Sequence, residues 1–259
     1  MVLQKSWRFA ADSGIGQLST AVRNGQDETV SQLLNAPWPD ISWDESGGLD
    51  IDDLVGSWQT YFSRVHENPS SPQNDQAWLH QVFAAFNRFR ILSPLRKGPS
   101  GTEQINQLIS TYLRRRYGGN PQKPWFTGRP VMVMQNDYRQ NLFNGDIGLT
   151  LRDAMGQLRV WFPQQDSFRS IAPVRLPAHE TAWAMTIHKS QGSEFDEVLL
   201  ILPEDEESRI LGRELLYTGI TRARQQIHIS GKLSVLKRAI RQTMPASSRI
   251  RQRLDKAKS

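Results

Sequence analysis

The sequence predicts an α/β protein, a parallel sheet flanked by helices, interrupted by a small β insertion. Three observations predict it. The runs "AWAMTIH", "EVLLILP" and "QQIHIS" have the apolar texture of strands in a covered parallel sheet. Segments with helical spacing alternate with strands of this kind. Between residues 129 and 177 that alternation stops, and short strand-like stretches follow one another closely.

In chain order, "ADSGIGQLSTAVRNG" reads as a helix capped by Asp12 or Ser13 and closed by Gly25. Residues 26–72 are polar and uneven, with loops at "NAPWPD" and "DESGGLD" and helical stretches between them. Trp38 and Trp43 fall there and are expected to pin a loop, with contact to a partner as the alternative. In "DQAWLHQVFAAFNRF" the residues Trp78, Val82, Phe83, Phe86 and Phe89 share one helical face. "RILSPLRKGPSGTEQINQLISTYLRRR" then reads as strand, turn and helix. Gly98 and Gly101 shape the turn, Thr102 caps the helix, Glu103 suits its first turn, and Arg114, Arg115 and Arg116 suit its end.

The insertion comprises "PVMVMQND", "GDIGLTLRD", "QLRVWFP" and "FRSIAPVRL", with turn chemistry at "NGD" and near Gly156. The expected organisation is therefore a first part at 1–128, with a helical excursion at about 26–90, the β insertion at 129–177, a second part at 178–244, and a basic tail at 245–259.

Composition bounds the function. At 259 residues and 38% apolar the chain is long and apolar enough to bury a core. No apolar run approaches the roughly 18 residues of a membrane span, and "MVLQKSWRF" lacks a signal-peptide core. Cysteine is absent, which excludes disulfides and thiolate metal sites. A cytoplasmic protein with no membrane partner is expected. No carboxylate cluster suited to a metal stands out, so no metal site is assigned and the chain does not read as a nuclease.

The net charge of +6 is unevenly spread. From Lys232 onward nine Lys/Arg face one acid, Asp255, so that stretch carries +8, and the remaining 23 basic and 25 acidic residues sum to −2. A tail of this kind is either a solvated end or a diffuse nucleic-acid contact.

The chemistry concentrates in two phrases. Thr186-Ile187-His188-Lys189-Ser190-Gln191-Gly192 places hydroxyl, imidazole and amide groups after a strand, at the edge where open α/β sheets bind ligands. Gly192 allows a tight turn or close approach to a phosphate. Singly, each residue has an ordinary structural role. Together with Glu194-Phe195 they are far more specific. The second phrase sets Thr221 and Arg222 at the start of a helix or turn before "QQIHIS". Arg is suited to charge on a transferring phosphoryl group. Arg224 reads equally well as the partner of a surface acid. No GxxxxGK[ST] phosphate loop occurs in the chain.

"TIHKSQGSEF" and "YTGITRAR" resemble motifs V and VI of superfamily 1 helicases, and "LQKSWRF" resembles their motif IV. "SWRFAADSGIGQL", "LSPLRKGPSG", "GRPVMVMQNDYRQNLFNGDIG" and "WAMTIHKSQGSEFDEVLLILP" resemble the RecD family, alpha chains of exodeoxyribonuclease V, over residues 3–230. The resemblance implies the RecA-like second motor domain of a superfamily 1 helicase, with the insertion as a small SH3-like β-barrel. It implies ATP with Mg²⁺, held mainly by an N-terminal motor lobe that carries the phosphate loop. Arg8 and Arg222 are then the arginines reaching the γ-phosphate. Glu194 binds the ribose, while Gln191 and Gly192 shape the loop against the phosphates. Thr186 and His188 touch the backbone of single-stranded DNA, and Lys189 serves either ligand.

The resemblance further implies 5′→3′ translocation beside the beta and gamma chains of exodeoxyribonuclease V, in double-strand-break repair and recombination. The expectation is a closing lobe that is inactive alone. Two alternatives stay open: a non-enzymatic nucleic-acid-binding or docking module, and half of a conjugative or stand-alone helicase of the same superfamily.

Overall fold

The computed structural model describes residues 13–48, 50–67, 75–117, 123–165, 167–205 and 210–242. Arg8 with its motif IV segment, and the tail from 243, lie outside the described residues.

Ser13 caps helix α1 (Gly14–Asn24) by accepting from the Gly16 amide, and Gly25 ends it at φ +74°. Helix α2 (Asp27–Asn35) and strand β1 (Ile41–Asp44) follow, then helices α3 (Ile51–Gly56), α4 (Gln59–His66) and α5 (Gln76–Asn87). Strand β2 (Phe89–Ser93) leads through the glycine turn to helix α6 (Thr102–Arg116). Strands β3 (Pro130–Val133), β4 (Ile147–Arg152), β5 (Leu158–Pro163), β6 (Phe168–Ile171) and β7 (His179–Thr181) form an antiparallel sheet ordered β6-β5-β4-β3-β7. The chain then returns as β8 (Ala184–Thr186), β9 (Phe195–Ile201), helix α7 (Arg213–Ile220), β10 (Ala223–Ser230) and helix α8 (Leu233–Arg241).

The main sheet runs β1-β10-β9-β2-β8, and all four pairings are parallel. Helices α1, α2, α7 and α8 bury one face through Leu18, Val22, Val30, Leu216, Ile220 and Leu236. Helices α3 to α6 build a second core on the other face, around Trp58, Tyr61, Phe86 and Ile105. Leu149, Leu151 and Trp161 of the antiparallel sheet join that second core. Val131, Val133, Val160 and Phe162 fill a smaller core of their own. The two sheets therefore share apolar packing.

The junction between them is tightly tied. Arg129 donates through Nε and Nη2 to Thr181 Oγ1 at 3.1 and 2.9 Å, and the Ala182 amide donates to Pro130 O at 3.1 Å. Trp183 is wholly buried against Trp58, Tyr61, Phe62 and Phe86, and its Nε1 donates to Ser110 Oγ at 3.2 Å.

Four sequence expectations need correction. Trp43 lies in β1, an edge strand paired with β10, rather than in a loop. Phe89 begins β2 instead of extending the α5 face, because α5 stops at Asn87. Gly101 rather than Thr102 is the α6 N-cap. Cover on the second face is partial: Ser42 is exposed, while Glu197, Gln226 and His228 are half-exposed beside one another on β1, β9 and β10. Among the described residues no helix is long and apolar enough to cross a membrane.

Candidate functional site

The site is built on one short connector. Strand β8 ends at Thr186, which is in register with Ser93, so Thr186 stands at the C-terminal edge of the sheet. Strand β9 begins at Phe195, which is in register with Ala223 at the N-terminal edge. Because β2 lies between β8 and β9, residues 187–194 must cross the sheet from one edge to the other. The span of β2 alone is about 13 Å at about 3.3 Å per residue.

A 3₁₀ turn (Ile187–Ser190) starts the crossing. Residues three apart eclipse in such a turn. Ile187 and Ser190 accordingly both face inward, fully buried, with Ser190 Oγ donating to Ile187 O at 2.7 Å. His188 is left exposed at the C-terminal edge, and Thr186 is half-exposed beside it. Lys189 turns toward the antiparallel sheet, where Nζ lies 2.7 Å from Glu180 Oε1 and 3.2 Å from Met134 Sδ. Its charge is thus matched by a β7 carboxylate.

Gln191, Gly192 and Ser193 are exposed at the outer bend. Gly192 has φ +88°, with no heavy atom within 4 Å of the position a Cβ would take. Its role here is conformational, since the left-handed region disfavours a side chain even where space is open.

At the N-terminal edge, Glu194 Oε2 lies 3.1 Å from Arg224 Nε. Arg222 is 8% exposed and folds onto main-chain oxygens, with Nη1 donating to Ser193 O at 3.0 Å and Nε to Thr218 O at 3.1 Å. The Phe195 amide donates to Arg222 O at 2.9 Å. Thr221 and Arg222 form the turn between α7 and β10, the second of the two expected settings, and Thr221 Oγ1 donates to Tyr217 O at 2.9 Å.

The expected residues therefore divide. Glu194 and Arg222 come together at the N-terminal edge, and Thr186, His188 and Lys189 at the C-terminal edge, with Gln191 and Gly192 between. The ligand-binding edge was expected only for the Thr186–Gly192 cluster. Sequence reasoning missed Glu180, the partner of Lys189, and the Ser193 carbonyl, the partner of Arg222. A main-chain acceptor leaves no sequence signal, and Glu180 belongs to a strand too short to show a pattern.

The glycine turn before α6 offers little to a phosphate. The Thr102 and Glu103 amides donate to Leu95 O and Arg96 O at 3.1 and 3.0 Å, so these helix-end donors are already used. Arg96 pairs with Glu103 at 2.8 Å.

Residues 181–230 match the family of UvrD-like helicase C-terminal domains. The chain is 33% identical to the RecBCD enzyme subunit RecD of Haemophilus influenzae over 95% of its length, covering 39% of that protein. It is 34% identical to RecBCD enzyme subunit RecD of Mycobacterium tuberculosis over 97% of its length, covering 42% of that protein. The chain thus spans about two fifths of the length of these curated relatives. A solved Bacteroides Pif1 helicase in complex with ADP-AlF3 and single-stranded DNA aligns with 99% of the chain and 57% of its own, at 17% identity and a TM-score of 0.45.

The helix-flanked parallel sheet and the match across β8 to β10 define a RecA-like α/β domain of the helicase C-terminal kind. Over nearly its whole length the chain matches the C-terminal part of proteins of the RecD family.

Proposed function

We propose that this chain is the closing lobe of an ATP-dependent 5′→3′ DNA helicase subunit, the RecD subunit of the cytoplasmic exodeoxyribonuclease V. In this reading it works beside the beta and gamma chains in double-strand-break repair and recombination. The antiparallel sheet is its counterpart of the SH3-like barrel. The observation that carries the proposal is the connector itself. One eight-residue segment has DNA-type groups at its start and nucleotide-type groups at its end, and it crosses the sheet.

The roles follow from that placement. ATP with Mg²⁺ sits against an N-terminal lobe carrying the phosphate loop, and this lobe closes over it. Glu194 meets the ribose, and Gln191 and Gly192 set the bend beside the phosphates. Arg222 exchanges its Ser193 bond for phosphate oxygens as the cleft closes, and Arg8 approaches with it. Their planar, fixed charges then stabilise the transferring phosphoryl group. Releasing Ser193 frees the connector, so the change is passed to Thr186 and His188. Those two hold the DNA backbone without regard to sequence.

The test is unwinding polarity. A complex assembled with this chain, an N-terminal RecD lobe and the beta and gamma subunits, with the opposite-polarity motor disabled, is expected to open duplexes with a 5′ tail. Opening only 3′-tailed duplexes contradicts the proposal.

A further inference from the structure

The connection from β3 to β4, residues 134–146, is a rigid frame rather than a slack loop. Asp137 Oδ1 accepts from the amides of Arg139 and Gln140 at 3.0 and 3.2 Å, and Asp137 Oδ2 from Gln140 Nε2 at 2.7 Å. Gln140 Nε2 also donates to Arg175 O at 2.6 Å, and Arg169 Nη1 donates to Gln140 O. The Asn144 amide donates to Asn136 Oδ1, and the Phe143 amide to Asp146 Oδ2, both at 2.8 Å.

Two rings stand uncovered on this frame. Tyr138 is 78% and Phe143 43% exposed, and their centroids lie 6.2 Å apart, edge to face. Asn136 Nδ2 donates to the Tyr138 hydroxyl at 3.3 Å, which orients the outer ring.

The surroundings select an occupant. Asp137 and Asp146 accept from amides of the frame, whereas Arg139 acts on Asp137 by charge alone and the Arg175 side chain has no hydrogen bond or ion pair among the described residues. Rings near cations that make no close ion pair suit a negatively charged chain of flat bases. The core of a protein interface needs a broader apolar area than two rings set among Asn, Gln and Arg.

Position points the same way. Met134, at the base of the frame, touches Lys189, the residue after His188. The frame that carries the two rings therefore starts beside the C-terminal edge of the main sheet.

We propose that Tyr138, backed by Phe143, is a base-stacking platform for single-stranded DNA continuing from the Thr186 and His188 edge. This rests on the DNA reading above and places a further contact on the antiparallel sheet.

The test is fluorescence anisotropy of the full chain with a labelled dT oligonucleotide and with an abasic oligonucleotide of equal length. Tyr138→Ala is expected to weaken dT binding about tenfold while sparing the abasic strand, because stacking needs a base. Tyr138→Phe keeps the affinity, and Met155→Ala, at an equally exposed apolar position of the same sheet, changes neither. Melting temperature checks that each variant is folded. Equal loss on both strands, or loss on neither, overturns the stacking site while leaving the DNA reading intact. A wild-type chain that binds neither strand overturns both.

Discussion

Arg222 and Ser193 are locked together: the guanidinium donates to the Ser193 carbonyl at 3.0 Å, across 29 residues of sequence. The same Arg222 accepts at its own carbonyl from the Phe195 amide at 2.9 Å, so both flanks of Glu194 are held. The connector's far end is therefore fixed by a residue whose proposed work lies with phosphate.

The bend of that connector depends on Gly192. Gly192→Ala is expected to destabilise the chain by about 1 kcal/mol, the cost of a side chain in the left-handed region, because nothing crowds the site. Urea unfolding measures it. A loss above about 3 kcal/mol would mean that the backbone there is packed rather than only bent.

Arg90 is fully buried on β2, with Nη1 donating to Ala182 O at 2.8 Å and Nη2 to Asn87 Oδ1 at 3.2 Å. Its guanidinium lies 4.1 Å from the Phe86 ring centroid and 4.9 Å from that of Phe195. Burial pushes its pKa down to about 9, which still leaves it charged at neutral pH. Arg90→Ala is expected to cost about 3 kcal/mol, through a cavity and an orphaned Ala182 carbonyl. Arg90→Met should cost clearly less, since it refills the volume without a buried charge. Equal losses by urea unfolding would show that the charge, rather than the packing, matters.

His228 shares a 2.6 Å hydrogen bond with Ser42, joining β10 to edge strand β1. Burial holds its pKa below the ordinary histidine value, against the opposing pull of Glu197. The unfolded chain therefore takes up this proton first as pH falls. Stability should be unaffected by His228 well above about pH 6.5 and should decline below it. Melting temperatures across pH should show a shallower acid decline for His228→Gln. An unchanged decline would assign it to other groups.

The basic C-terminal stretch is less free than its composition suggests. Lys237 pairs with Glu28 at 3.1 Å, and Arg241 pairs with Asp27. Cutting after Met244 removes five basic residues and Asp255. If those charges meet DNA phosphates, the log–log salt slope should flatten by about 3. Anisotropy across a salt series measures this, and an unchanged slope places the DNA contacts wholly within the folded part.

How far the fold could be read from sequence differs by element. β9 was legible because "EVLLILP" is continuously apolar, and α1 because Ser13 and Gly25 mark its ends. β1 was not, since its four residues acquire meaning only by pairing with β10, whose partner residues lie 186 positions away. The candidate site residues were visible as motifs. Their division between two edges was not, because it depends on β2 lying between β8 and β9, and strand order leaves no local mark.

The central claim is that this lobe completes an ATPase by supplying Arg222 to a nucleotide held elsewhere. Steady-state ATP turnover with single-stranded DNA tests it, for the chain alone and joined to a RecD N-terminal lobe bearing GxxxxGK[ST]. The chain alone should show no turnover above background. The joined motor should turn over, and Arg222→Ala should cut its rate by about 10³-fold, far more than it weakens ATP binding, with incomplete rescue by Arg222→Lys. Robust DNA-stimulated turnover by the chain alone, or a joined motor indifferent to Arg222→Ala, would contradict the account.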